Sequence, residues 1–399
     1  MTGNIDFTRR NKTIDILRAL TMLLMVFVND LRTIKEAPRR MLHANANEDF
    51  LGLSDVVFPC FLFVVGMSIP FAIERRLRRG FSELDTTMHI FTRSLALLIM
   101  GVFTVNTEEG ISTKLWMNMP VFKMLMVTGF FMVWNAYPHT YNKIRNLHTV
   151  MRAVGIILLV YLAVIFRDAG GGIFQARWWG ILGLIGWTYL VCAFIYLYVR
   201  DNILHLFYFW LGFVILCMVK SSNLIPRESF LNDLTGILHI NNGASNALAM
   251  GGVLFSLVTA KYLQVAVRKK VVFIISTVAV LLIAAAISNK FWLISEISAT
   301  PPWIFYSTAA SIGVYGLIQW LVFAGKASYF NIIKPAGTAT VTCYLVPYVL
   351  YGIFFGFLGF SLPDWMKSGI FGLIKCACFS FLCVGVTSLL ERLNVKIKL

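Results

Sequence analysis

Apolar residues run in blocks of about 18 to 23, broken by short polar stretches, along nearly the whole chain. A block of that length crosses a hydrocarbon core of about 30 Å at about 1.5 Å rise per residue, so each one predicts a membrane-spanning helix. Twelve are read, at residues 13–31, 54–74, 86–106, 118–135, 148–166, 178–200, 202–219, 244–266, 270–288, 301–323, 337–359 and 368–390. The pair on either side of Arg200 and Asp201 can also be read as one bent helix, which would leave eleven. Basic residues arbitrate between the two counts. With the N-terminus in the cytoplasm, roughly nineteen Lys and Arg fall in cytoplasmic segments and roughly eleven in the opposite loops. Merging the pair would throw the dense cluster Arg268, Lys269 and Lys270 to the other side. The expected architecture is therefore an all-α polytopic helix bundle of about twelve spans, with both termini inside and one domain over residues 1–399.

Composition agrees with lipid as the solvent. Of 399 residues, 58% are hydrophobic and 14% charged, and the mean hydropathy is +0.75, more than a water-soluble domain of this size can hide in a core. The net charge of +16 is spread over the short loops, which argues for topology and against nucleic acid. All seven cysteines lie in apolar runs with neither a disulfide framework nor a metal-ligand spacing, so no metal is expected. Arg9, Arg10 and Lys12 precede the first span as in a secretory leader. That span ends in Asn29, Asp30, Leu31 and Arg32 with no small-residue cleavage site, so it is read as retained.

Ionisable residues within or at the mouths of spans are costly, and each is a functional candidate. Asp15 and Arg18 stand at i, i+3 in the first span, as a structural ion pair or as a contact to a ligand on the cytoplasmic side. Arg93 lies in the third span and Lys123 in the fourth; Lys375, in the twelfth, is read as snorkelling to the interface. The outer loop at 32–53 holds His43, with Asp55 opening the next span. An imidazole moves protons near neutrality and a carboxylate can orient it, although a loop histidine can equally be no more than solvated.

The run from Asn11 to Asn29, with Asp15, Arg18 and Phe27, resembles the opening helix of the heparan-alpha-glucosaminide N-acetyltransferase family. Asp55, Val56, Val57, Phe58, Pro59, Cys60 and onward to Ser68 is similar to that family's second helix. Weaker echoes are Met119 and Pro120, Gly243 with Asn246, Trp303, and Gly337 with Tyr344. The resemblance implies a transmembrane acetyltransferase that carries an acetyl group from cytoplasmic acetyl-CoA to the amino group of a glucosamine-type sugar or glycan on the far side. It implies a bacterial cytoplasmic (inner) membrane location and a homodimer. It assigns catalysis to His43, Asn29 and Asp55. The family's acidic motif falls on Asn241 and Asn242, and its arginine in the fourth span is replaced by nearby Lys123. Together with Asn246 and Trp303 these are the residues expected to meet the acceptor.

Acetyl transfer from a thioester needs a free amine, stabilisation of the developing oxyanion and a proton for the leaving thiolate. His43 is expected to act as base or acetyl carrier, Asp55 to hold its tautomer, and Asn29 to donate to the carbonyl oxygen. Phosphates of coenzyme A require cations or close backbone approach, for which Arg93, Lys334, Arg18 and Gly337 are candidates. Two rival readings are a twelve-span secondary transporter of a sugar or small solute, for which no internal repeat is visible, and an O-acetyltransferase of an envelope glycan.

Overall fold

A computed structural model describes residues 11–108, 117–137, 142–200, 202–224, 229–261 and 267–399; Arg9, Arg10 and Asp201 lie outside them. The described residues form α1 (Lys12–Asp30), α2 (Leu53–Arg78), α3 (Glu83–Glu108), α4 (Met119–Trp134), α5 (Asn142–Ile165), α6 (Ile181–Val199) and α7 (Ile203–Ser221). They continue with α8 (Phe230–Ile237), α9 (Ala244–Lys261), α10 (Val267–Ser288), α11 (Pro301–Phe323), α12 (Lys334–Thr338), α13 (Thr340–Tyr351) and α14 (Gly369–Arg392). Each expected span meets a helix, and the stretches on either side of Arg200 form two helices, α6 and α7.

Among the described residues, nine helices are long and apolar enough to cross a membrane, which makes this an all-α membrane protein. Three expected spans fall short of that standard for visible reasons. Lys12, Asp15, Arg18 and Asp30 charge α1, α4 has 16 residues, and α9 is diluted by Asn246, Gly251, Gly252 and Ser256. The most apolar stretch of α2 is 67% buried, whereas those of α7 and α10 are 22% buried, so α2 is a core helix and the other two present their apolar sides to lipid.

Contacts divide the chain into two compact units. The first holds residues up to Thr21, Pro38–Ser94 and Trp187–Asn331; the second holds Met22–Ala37, Leu95–Gly186 and Ile332–Leu399. In the first unit α2 lies along α9, and α11 packs on both. Small residues allow the closest approach: a Cβ on Gly66 would overlap the Ala249 carbonyl, and one on Gly252 would overlap that of Phe63. Two helices in lipid gain little by hiding apolar surface, so such backbone proximity is how they hold together. Phe255 caps the seam edge-to-face on Tyr315, with ring centroids 5.1 Å apart.

In the second unit α4 packs on α5 and α13, and α14 on α12 and α13. The span expected at 337–359 is broken. Ala339, at φ −127° and ψ 54°, separates α12 from α13, and Gly352–Phe357 continues as a π-helical turn. Pro347, inside α13, supplies no N–H to the ladder, and Gly352 and Gly356 give room to Met124 and Pro120 of α4. Lys375 does not snorkel: its Nζ lies 2.9 Å from Asp30 Oδ2, whose side chain is 1% exposed. Tyr351 donates its hydroxyl to the same carboxylate, which shares out a charge that would be costly alone.

Gly252→Leu is expected to force α2 and α9 apart and cost about 1–3 kcal/mol. Gly212→Ala, on α7 with open space around it, should leave stability unchanged or slightly raised. Thermal unfolding of both variants in detergent checks the pair.

Candidate functional site

Asp55 stands at the third position of α2, after the N-cap Gly52, where a carboxylate faces the free N–H groups and the positive end of the helix dipole. Its Oδ2 accepts the Gly52 N–H at 2.8 Å and the Ala44 N–H at 3.1 Å. The loop before α2 therefore closes onto the helix end. Gly52 is required there, since a Cβ would overlap the Leu42 carbonyl. The Ser54 hydroxyl donates to the Met41 carbonyl at 2.5 Å. Arg39 donates to the His43 carbonyl at 2.6 Å and pairs with Glu48.

That clamp sets the ring of His43. Its Nδ1 lies 2.9 Å from Asp55 Oδ1 and 2.7 Å from Glu296 Oε2, so both contacts engage one nitrogen and leave Nε2 for another partner. The His43 side chain is 36% exposed, that of Asp55 1% and that of Glu296 16%. Hydrogen bonds to Asp55 and then to Glu296 favour the imidazolium more than burial opposes it, and His43 is pushed up to about 9. Burial raises the Glu296 carboxyl above its ordinary range.

Glu296 reaches the cluster from the loop between α10 and α11. Asp49 Oδ1 accepts the Ile294 N–H of that loop at 2.8 Å. The Asn242 side-chain amide donates to the Ala299 carbonyl at 2.8 Å, and Cys217 Sγ lies 3.2 Å from the same oxygen. Those contacts hold Ala299 in the left-handed region, at φ 47°, where a residue with a Cβ is uncommon. Trp303, at the start of α11, is 2% exposed and donates its indole N–H to the Asp55 carbonyl at 2.8 Å, behind the carboxylate.

The other expected site residues are placed as follows. Arg18 donates to Ser68 Oγ at 2.6 Å and lies 3.5 Å from Asp15, as the i, i+3 spacing implied. The Arg93 guanidinium sits over the Tyr189 ring at 4.8 Å, and its Nε is buried with no hydrogen-bond partner. The Asn241 carbonyl accepts from Lys220 at 2.8 Å. Asn246 is buried, and its Nδ2 has no partner. Asn29, Lys123, Lys334 and Gly337 belong to the second unit. Asn29 lies on the last turn of α1, Lys123 sits 5.7 Å from the Tyr348 ring centroid, Lys334 is exposed and Gly337 is buried.

Sequence reasoning missed Glu296. Its signal was isolation: it is the only acidic residue in the 130 positions between Asp233 and Asp364. One nitrogen and two carboxylate oxygens within 4.8 Å of one another also offer a ligand set for a divalent cation, although nitrogen–oxygen distances of 2.7 and 2.9 Å are those of direct hydrogen bonds.

The fold and this cluster define a polytopic helical membrane protein with an imidazole–carboxylate centre at the N-terminus of a core helix. Residues 10–240, more than half of the chain, match the family described as "Domain of unknown function (DUF5009)", and the chain belongs to that family. It is also similar to two proteins named heparan-alpha-glucosaminide N-acetyltransferase. With the one from Mus musculus it shares 31% identity over 138 residues, covering 32% of this chain and 20% of that protein. With the one from Homo sapiens it shares 31% over 107 residues, covering 27% and 15%. The chain thus spans at most about a fifth of the length of these relatives.

Because His43 is raised by its carboxylates, its protonated form stabilises the fold fully below its ordinary value near 6.5, and that contribution is lost as pH rises through about 9. Asp55→Asn removes the largest cause, so histidine ¹⁵N NMR of that variant should show His43 titrating well below the wild-type value.

Proposed function

We propose that the protein is a membrane-embedded acetyltransferase that moves an acetyl group from cytoplasmic acetyl-CoA to the amino group of a glucosamine-type sugar across the membrane. The observation that carries this reading is the 2.9 Å contact of His43 Nδ1 with the buried carboxylate of Asp55. It occurs in a chain similar to proteins named as N-acetyltransferases. A buried carboxylate on Nδ1 fixes the tautomer that exposes the Nε2 lone pair, as proton transfer requires.

Span parity supports the topology. His43 and Glu296 are in contact, so the loops that carry them share a side of the membrane. If α4 and α9 cross as the sequence expects and α6 and α7 are separate, eight helices cross between those loops: α2 to α7, α9 and α10. Merging α6 with α7 would leave an odd number and part the two loops. On the reading of twelve spans with both termini inside, we assign the cluster to the extracytoplasmic face.

In the reaction, the sugar amine gives a proton to His43 Nε2 while its nitrogen bonds to the thioester carbonyl carbon. The C–S bond then breaks, and the thiolate of coenzyme A takes the proton from Nε2. Asp55 holds the ring and stabilises the transient imidazolium. Arg93, whose Nε has no partner, and Arg18 are assigned to the phosphates. Asn241 and Asn246 are assigned to the acceptor. Asn242 and Trp303 act from behind, through the loop of Glu296 and the carbonyl of Asp55.

Purified protein given acetyl-CoA should release free thiol only when glucosamine is present. His43→Ala should reduce the rate on the order of a hundred- to ten-thousand-fold. The wild-type rate should rise with pH toward about 9, as the ring loses its second proton. Thiol release with hydroxyl-only sugars would favour O-acetylation. Accumulation of labelled sugar in liposomes without thiol release would favour transport and end the proposal.

A further inference from the structure

The first turn of a helix leaves N–H groups without intrahelical partners, and a buried helix start has to find acceptors for them. The start of α9 is buried against its neighbours. A Cβ on Gly243 would press on the Phe213 carbonyl of α7, Ala244 and Ala247 are fully buried, and Cys192 Sγ of α6 lies 3.7 Å from the Asn246 carbonyl. The Ala244 N–H is answered by the Asn242 side-chain oxygen at 3.2 Å, and the Ala247 N–H by the Gly243 carbonyl at 2.8 Å. Those of Ser245 and Asn246 meet no acceptor among the described residues. Asn246 adds a third donor: it is 2% exposed, and its Nδ2 has no partner. Because side chains tilt toward the N-terminus of a helix, an amide at the third position lies over the same unanswered turn.

Charge points the same way. Lys220, at the end of α7, donates to the Thr235 hydroxyl and, at 2.8 Å, to the Asn241 carbonyl, two neutral oxygens that leave its positive charge unbalanced. No acidic residue lies between Asp233 and Glu296 in the chain. Asp233 is exposed on α8, and Glu296 is engaged with His43. The helix dipole adds a partial positive charge at the same end. The approach is open, since Asn241 is exposed and Asn242 and Ser245 are half-buried.

We propose that the start of α9 binds a phosphate group carried by the acceptor, so that the amino sugar this protein acetylates is a phosphorylated one. The identity of the ligand as the acceptor rests on the acetyl-transfer reading; the phosphate site rests on α9 alone. A phosphate monoester has three terminal oxygens, one for each of the Ser245 N–H, the Asn246 N–H and Asn246 Nδ2, with the Lys220 ammonium behind them. A neutral sugar hydroxyl would leave two of those donors unanswered. The same loops tie this end of α9 to the imidazole: Asn242, which answers Ala244, also donates to the Ala299 carbonyl of the loop whose Glu296 meets His43. A sugar held by its phosphate at α9 is thereby held to the same loops that set His43.

Calorimetric titration of the full-length protein in phosphatidylcholine nanodiscs, without acetyl-CoA, tests the site independently of acetyl transfer. Glucosamine 1-phosphate or glucosamine 6-phosphate should bind about tenfold or more tighter than glucosamine. Asn246→Asp keeps the shape of the side chain and puts a carboxylate where the helix start favours one, so thermal unfolding should be unchanged or raised while the preference for phosphate is lost. Lys220→Met reads the same site without touching α9 and should weaken phosphate binding about two- to fivefold. Equal binding of all three sugars, or a preference kept in full by either variant, would overturn the proposal. So would a phosphatidylglycerol that stays bound to wild type but not to Asn246→Asp and blocks the sugar phosphates, since the site would then belong to a lipid headgroup. A phosphate preference in binding with no thiol release from acetyl-CoA for any of the three sugars would instead overturn the proposed function and leave the phosphate site as assigned.

Discussion

The carboxylate of Asp55 is 1% exposed, and an anion so far from water persists only where its lone pairs are answered. Every local feature around it supplies an answer. The start of α2 offers its dipole and the N–H of Gly52; the loop offers the N–H of Ala44; the imidazole of His43 offers Nδ1. Gly52 has no Cβ because the Leu42 carbonyl occupies that space. Trp303 fixes the Asp55 backbone from the opposite side. Removing the negative charge would leave backbone donors facing a weaker acceptor and free the histidine ring to rotate, so one side chain ties the helix end, the loop and the imidazole together.

Lipid imposes the second constraint. Since apolar side chains gain little from one another in hydrocarbon, the first unit is assembled by close backbone approach at Gly66 and Gly252 and by polar contacts within and at the ends of spans. Three separate loops, at 38–52, 241–243 and 289–300, meet through Asp49, Asn242, His43 and Glu296. Such a meeting is possible only if an even number of spans separates each pair. The meeting of these loops therefore constrains the number of spans between them.

Much of this was legible in the sequence because period and charge carry it. Run length located a helix at every expected span, and the clustering of Arg and Lys separated α6 from α7 before any geometry was known. The spacing of Asp15 and Arg18 gave their pairing. His43 with Asp55 was legible through a motif. Glu296 was not, because it lies 253 positions from His43 in the chain and no local pattern announces a contact made by folding. Sequence shows what a side chain can bond, not which way it points, so the bonds of Asn242 to the Ala299 carbonyl and of Trp303 to the Asp55 carbonyl were not legible. Lys375 was misread for the same reason: a lysine near a span end snorkels unless a buried acid such as Asp30 waits within reach. The break at Ala339 was hidden too, since alanine is the residue least expected to interrupt a helix.

A strongly held proton on His43 has two opposing consequences for the proposed acyl transfer. At neutral pH about one ring in a hundred would have Nε2 free if the titration lies near 9. That scarcity slows the step that takes a proton from the amine. The same basicity matches the later step, because a thiol of ordinary acidity titrates near 8.5 and receives a proton from a donor near 9 with little free-energy change. A ring left at its ordinary value near 6.5 would be more abundant as a base yet would favour returning its proton to the amine side as the adduct collapses. In the proposed reaction, carboxylates on Nδ1 thus trade availability for balance between the two proton transfers.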